Sequence, residues 1–255
     1  MMKRAKAIYV IGGLLLTVCM TASPVFADTF VNGGFESGSL TGWTGGGGYW
    51  YGGGYPVDPS TYAGGTPNNT VVGVGTDPIT GQSTVYNGAY AARVNDSYND
   101  YSVSTLKQSV ANYSDNHIYF AWNAVLEESH GLTDSDYFSL TLTDDTMGTT
   151  LVSRQYSSAS APGFFTKYYY SYSNWYGSGW RVEDIDMASL GAIGHNVTLT
   201  LLASDCPYGG HAGYVYLDGF GAAPPPPTVP EPSTLLLLAV AMLVSVVFRK
   251  KFIRS

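Results

Sequence analysis

The sequence predicts an all-β antiparallel sandwich, and three observations predict it. Apolar and polar residues alternate over several short runs, Gly, Asn and Asp separate the runs, and helical periodicity is almost absent between residues 28 and 222. Period-two alternation buries one face of a strand, and a succession of short strands with turn residues between them packs as two sheets.

The middle region begins with a departure from that pattern. Residues 44–84 open with Thr44-Gly45-Gly46-Gly47-Gly48-Tyr49-Trp50-Tyr51-Gly52-Gly53-Gly54-Tyr55. Gly weakens a strand interior and gives it nothing to pack, so a long Gly- and Tyr-rich excursion is expected here instead of a regular strand. Ile118, Phe120, Trp122, Ala124 and Leu126 then mark one face of a strand. Phe138, Leu140 and Leu142 alternate with Ser139, Thr141 and Thr143, and Asp144-Asp145 reads as a hairpin turn. Residues 185–190, behind Glu183, Asp184 and Asp186, have brief helical character. Val197, Leu199, Leu201 and Ala203 alternate with Thr198, Thr200 and Leu202, and residues 213–220 form the last β-rich run.

Charge narrows the function. Of 12 Lys and Arg, seven sit at the two ends, so residues 28–222 carry five basic residues against 18 acids, a net charge near −13. Neutralising phosphates needs clustered Lys and Arg, which excludes nucleic acid and makes an anionic bilayer surface a poor partner. The same region is rich in Tyr, Trp, Phe, Val and Leu, unlike a disordered chain.

Residues 1–27 have a basic start, an apolar stretch and Val25-Phe26-Ala27 before Asp28, the pattern of a secretory signal peptide. The mature chain then holds one cysteine, Cys206, and no internal disulfide. At the other end a Pro-rich linker, 223–228, precedes Val229-Pro230-Glu231-Pro232, an apolar run from Leu235 to Phe248, and Arg249-Lys250-Lys251. Consecutive prolines favour an extended stalk of about 3.1 Å per residue. The apolar run is a thin transmembrane helix whose basic flank marks the cytoplasmic side. These three parts, in this order over 229–255, resemble the PEP-CTERM sorting tail of Gram-negative bacteria, also catalogued as an ice-binding-protein C-terminal motif. The resemblance implies processing by an exosortase near Pro230-Glu231-Pro232 and export to the cell envelope or surface, often in species that make exopolysaccharide. An ordinary single-span anchor is the alternative.

Within 28–222, Val31-Asn32-Gly33-Gly34-Phe35-Glu36-Ser37-Gly38 with Leu40-Thr41-Gly42-Trp43, and Gly209-Gly210-His211-Ala212-Gly213-Tyr214-Val215-Tyr216-Leu217-Asp218-Gly219-Phe220, resemble the opening and closing segments of galactose-binding-like jelly rolls. That is the fold of many carbohydrate-binding modules. Gly88 to Arg93 and Leu106 to Val110 fit two strands between them. The first and last strands of such a fold lie close, so Glu36 and Asp218 could meet at one edge. The resemblance implies a structural calcium on these two residues, and a hard cation takes carboxylates and backbone carbonyls. A capping Glu and a turn Asp are the alternative.

Aromatic residues carry the remaining chemistry. Sugar rings stack their C–H faces on Trp and Tyr and bond their hydroxyls to Asn, Asp, Gln and Arg. Trp50, Tyr51, Trp175 and Tyr176 are the candidate contacts for extracellular polysaccharide, with Trp50 and Trp175 expected to be exposed because Gly and Ser surround them. The alternative reading places half of each aromatic run in the core. A glycosidase pair would come from Glu127-Glu128, Asp134, Asp136, Asp144-Asp145 or Glu183-Asp184-Asp186, but these read as solvated loop acids. His117, His130, His195 and His211 are far apart in sequence, and a Cys206–His211 dyad is the one thiol arrangement to weigh. The expected function is a non-catalytic surface or matrix protein contacting polysaccharide. The alternatives are a structural biofilm protein without glycan binding, or a glycoside-active enzyme. Thr141-Leu142-Thr143 and Thr198-Leu199-Thr200 are too short to predict an ice-binding face.

Overall fold

A computed structural model describes residues 30–52 and 54–221. The signal peptide at 1–27, the linker at 223–228, the sorting motif at 229–232 and the anchor between Leu235 and Phe248 lie outside them. Among the described residues no helix is long and apolar enough to cross a membrane.

The described residues form two antiparallel sheets, as predicted. One holds β1 (Thr44–Tyr49), β4 (Ser102–Tyr113), β11 (His195–Ser204), β6 (Tyr137–Asp144) and β7 (Thr149–Ser157), in that order. The other runs β2 (Thr70–Gly73), β3 (Tyr90–Val94), β12 (Gly213–Asp218), β5 (His117–Glu127), β9 (Ser173–Gly177) and β8 (Thr166–Tyr170), and β10 (Arg181–Asp186) also pairs with β5. The alternation sets which face is buried. Ile118, Phe120, Trp122, Ala124 and Leu126 meet Phe138, Leu140, Leu142, Val197, Leu199 and Leu201 in the core between the sheets. Each large side chain buried this way contributes about 1.5–3 kcal/mol. Phe30, Phe35 and Phe220 close one end of the core.

The expectation that residues 44–55 avoid regular structure is corrected: Thr44–Tyr49 is a strand, paired residue for residue with β4 from Thr44 opposite Lys107 to Tyr49 opposite Ser102. Its glycines let the excursion wrap the strand. A Cβ on Gly46 would lie 2.0 Å from the Tyr62 carbonyl oxygen, on the outer face, while Pro67 and Thr66 crowd Gly47 from the other side. The Gly47 N–H donates to the Gly64 carbonyl at 2.9 Å. Residues 62–67 thus pass around the free edge of β1 at backbone contact, a place where a side chain has no room. Covering an edge strand also blocks its pairing with another chain.

The excursion clothes both sheets. Its first half buries Trp50 and Val57 on Val103, Tyr137 and Leu202, at outward positions of the five-stranded sheet. After β2, residues 74–87 lie over the other sheet, where Ile79 packs on Val125, Trp175, Tyr214 and Tyr216. Buried Asp77 pins this lid. Its Oδ2 accepts the Tyr214 and Tyr216 hydroxyls at 2.7 and 2.9 Å, and its Oδ1 accepts the Ile79 and Thr80 N–H groups and the Thr80 hydroxyl.

The brief helix expected at 185–190 is also corrected. Residues 181–186 form β10 on the edge of β5, and a turn follows. Glu183, Ile185 and Met187 are buried while Val182 and Asp184 are exposed, so the real period is two.

Candidate functional site

Glu36 and Asp218 come together around Gly34, where a Cβ would lie 3.8 Å from Glu36 Cγ and 4.0 Å from Asp218 Oδ1. Both carboxylates cap the same segment. Glu36 accepts the N–H groups of Ala89 and Tyr90, and Asp218 Oδ2 accepts those of Tyr86 and Asn87 at 2.9 Å. Asp218 Oδ1 is buried and makes no hydrogen bond among the described residues. Burial, and less strongly the nearby Glu36 charge, push the Asp218 pKa up to about 6. The pair therefore works as a double cap and leaves one buried carboxylate oxygen open to a cation.

The aromatic expectations divide. Tyr51 is exposed and sits in a row with Tyr49 and Tyr101, at ring separations of 6.0 and 5.2 Å. Trp50, Trp175 and Tyr176 are corrected: they are only 2–4 % exposed. Trp50 is folded under the excursion, Trp175 lies against Tyr214, and the Tyr176 hydroxyl donates to Glu128 Oε1 at 2.7 Å. Flanking Gly and Ser do not expose the two tryptophans, because the excursion packs Trp50 onto one end of the five-stranded sheet and Ile79 packs over Trp175 on the other.

A cleft of about 450 Å³ opens where the sandwich parts, between the edge strands β7 and β10. Its walls carry Arg154, Tyr156, Phe164, Phe165, Trp180 and Glu183. Arg154 sits opposite Leu140 and Glu183 opposite Phe120, so both charges occupy the inward phase of their strands. They meet as a two-point pair, Nε to Oε1 at 2.8 Å and Nη2 to Oε2 at 2.7 Å, and the Trp122 indole N–H adds a bond of 3.0 Å to Oε1. Such forked pairs fix geometry as well as charge. Phe164 is 67 % exposed at the rim, and Phe165 packs tilted against Tyr156 with ring centres 4.8 Å apart.

The acids read as solvated loops are corrected in part. Glu127, Asp136, Asp144 and Glu183 are buried. Asp144 pairs with His195 and Asp184 with His117, each at 2.7 Å. Glu183 is the one carboxylate lining the flank cleft, and a two-carboxylate hydrolysis needs a second.

At another corner Cys206 Sγ lies 3.1 Å from His211 Nδ1. His130, remote in sequence, joins them: ligand atoms of His130, Cys206 and His211 all lie within 4.8 Å of one another. Cys206 is fully buried, out of reach of a substrate carbonyl, so the pair is not placed as a nucleophilic dyad.

Sequence reasoning missed Arg154 and the flank cleft, although a signal existed. Val152, Arg154 and Tyr156 share one phase, as do Glu183 and Ile185, so each strand carries a charge at an apolar position. Phe164-Phe165 directly after Pro162-Gly163 was the other signal, an aromatic pair in a turn.

Residues 228–251 match the PEP-CTERM protein-sorting motif. The motif marks an exported protein sorted to the cell envelope or surface. No curated protein matches the chain. Among solved structures it is similar to TmCBM61 in complex with β-1,4-galactotriose (15 % identity, 75 % of this chain and 94 % of that one, TM-score 0.40). It is also similar to the non-crystalline cellulose specific module CBM28 (14 %, 76 % and 95 %, TM-score 0.38). A third likeness is the C-terminal family 22 module of Clostridium thermocellum Xyn10B (14 %, 76 % and 94 %, TM-score 0.31). At these identities the likenesses carry no ligand across to this chain.

Proposed function

We propose that this chain is a non-catalytic surface or matrix protein, processed through its tail by an exosortase-type enzyme, that contacts extracellular polysaccharide through the cleft between β7 and β10. The observation that supports contact is the forked Arg154–Glu183 pair in an aromatic cleft. Guanidinium and carboxylate offer donors and acceptors to sugar hydroxyls, and Phe164 and Tyr156 offer apolar faces to ring C–H groups. A volume of about 450 Å³ falls within the range of about 300–1,000 Å³ usual for small-molecule sites. The exposed Tyr49 and Tyr51, in a row with half-buried Tyr101, support a second contact for a longer chain. A structural calcium on Glu36 and Asp218 belongs to the same proposal, supported by the open Asp218 Oδ1.

Affinity electrophoresis of the full-length protein through gels containing a panel of polysaccharides, the host's own included, tests the reading. Retardation by at least one is expected, with Phe164→Ala weakening it about tenfold, or ~1.4 kcal/mol. Phe164 is exposed, so the variant should keep the wild-type melting temperature. No retardation by any polysaccharide would overturn glycan contact and leave a purely structural surface role.

A further inference from the structure

We propose that His130, Cys206 and His211 form a binding site for a zinc-class transition-metal ion, independent of the glycan cleft and of the Glu36–Asp218 pair. The site joins segments far apart in the chain. His130 follows β5, Cys206 follows β11 and His211 precedes β12, and among the described residues no other three His, Cys, Asp or Glu side chains converge this way.

The local backbone wraps the Cys206 sulfur. The His211 N–H donates to Cys206 Sγ at 3.3 Å, and the Cys206 N–H closes the turn on the His211 carbonyl at 2.9 Å. The turn requires glycine twice. Gly209 and Gly210 have φ of 129° and 67°, and a Cβ on Gly209 would press the His211 ring at 3.2 Å. His130 Nε2 lies 2.7 Å from the Tyr208 carbonyl, which places the ring proton on Nε2 and leaves the Nδ1 lone pair for an ion. Metal-bound histidines usually donate their second nitrogen to a carbonyl or carboxylate in this way.

The donor set points the same way. Binding a divalent ion releases the thiol proton to solvent and leaves one thiolate and two neutral imidazoles, a net charge of about +1. One thiolate and two imidazoles suit zinc, or copper, over calcium or magnesium. His130 is exposed, so the fourth position faces solvent.

The test is a cobalt(II) titration of reduced, chelator-treated full-length protein, followed by competition with zinc(II). We expect one equivalent to bind with a sulfur-to-cobalt charge-transfer band in the near ultraviolet, and zinc to remove it. Cys206→Ser should abolish the band. His130→Ala, at an exposed position that leaves folding intact by circular dichroism, should weaken binding by at least about tenfold, since even an outer partner of a metal site is worth that much. A wild-type protein with a titratable thiol and no charge-transfer band would overturn the site, as would His130→Ala with unchanged affinity.

Discussion

The outer faces of the two sheets start from the same alternation and end differently. On the seven-stranded sheet the outward residues are Val125, Trp175, Tyr214, Tyr216 and Asp218, and residues 74–87 seal them. On the five-stranded sheet they are Thr105, Lys107, Ser109, Thr141, Thr143, Thr198 and Thr200, and a cleft of about 340 Å³ remains beside the excursion. Only Val103, Leu202 and Tyr137 are apolar there, and the excursion covers that end alone. The identity of the outward residue decides whether a face is covered, and the segment between β1 and β3 supplies the cover for both.

The largest effect should come from unpinning the sealed face. Asp77→Ala would strand two buried tyrosine hydroxyls and the groups held by Oδ1, at about 1–3 kcal/mol for each buried group left unpaired. A loss of at least about 3 kcal/mol is expected from urea unfolding, with less for Asp77→Asn, which keeps acceptor oxygen. A loss below about 1 kcal/mol would mean that the lid is not held by Asp77 and the two faces are not different in kind. Next is the shared wrap. Gly46→Val sets a branched side chain against the Tyr62 carbonyl and should cost about 2–3 kcal/mol, whereas Gly64→Ala, with open space around it, should stay within about 0.5 kcal/mol. Equal losses at both positions would break the account of why the run is glycine.

The same comparison explains what was legible in the sequence. The strands around Phe120, Leu140, Leu199 and Val215 were legible because a core between two sheets needs nothing beyond period two. Glu36 and Asp218 meeting was legible through the order of the first and last segments. Burial of Trp50 and Trp175 was not, because it depends on where the long excursion lands, and no local pattern records that. Leu202 was a trace of it, an apolar residue in the same phase as Thr198 and Thr200. Those threonines stand opposite Thr143 and Thr141 across the β11–β6 pair, an adjacency that neither short run shows alone. The meeting of His130 with Cys206 and His211 was illegible for the same reason, since β5, β11 and β12 bring it about only in the folded sheets.

A pH-dependent effect sharpens the sealed face at its far end, where Asp218 holds Tyr86 and Asn87. Its folded pKa, raised to about 6, lies above its unfolded value, so the folded state binds the proton more tightly. Stability then falls as pH rises from about 4 to about 6 and levels off above, because ionisation favours the unfolded chain throughout that window. The expected fall from this group is up to about 3 kcal/mol, and Asp218→Asn should remove it from the pH dependence of the urea midpoint. Calcium provides the second arm. An ion on Asp218 Oδ1 and Glu36 would favour the ionised carboxylate in the folded state, so millimolar calcium should flatten the slope and raise the melting temperature, and chelation should restore the slope. A slope that calcium leaves unchanged would make Asp218 a cap alone. The sealed face would then be held at both ends by carboxylates that serve only its own backbone and hydroxyl groups.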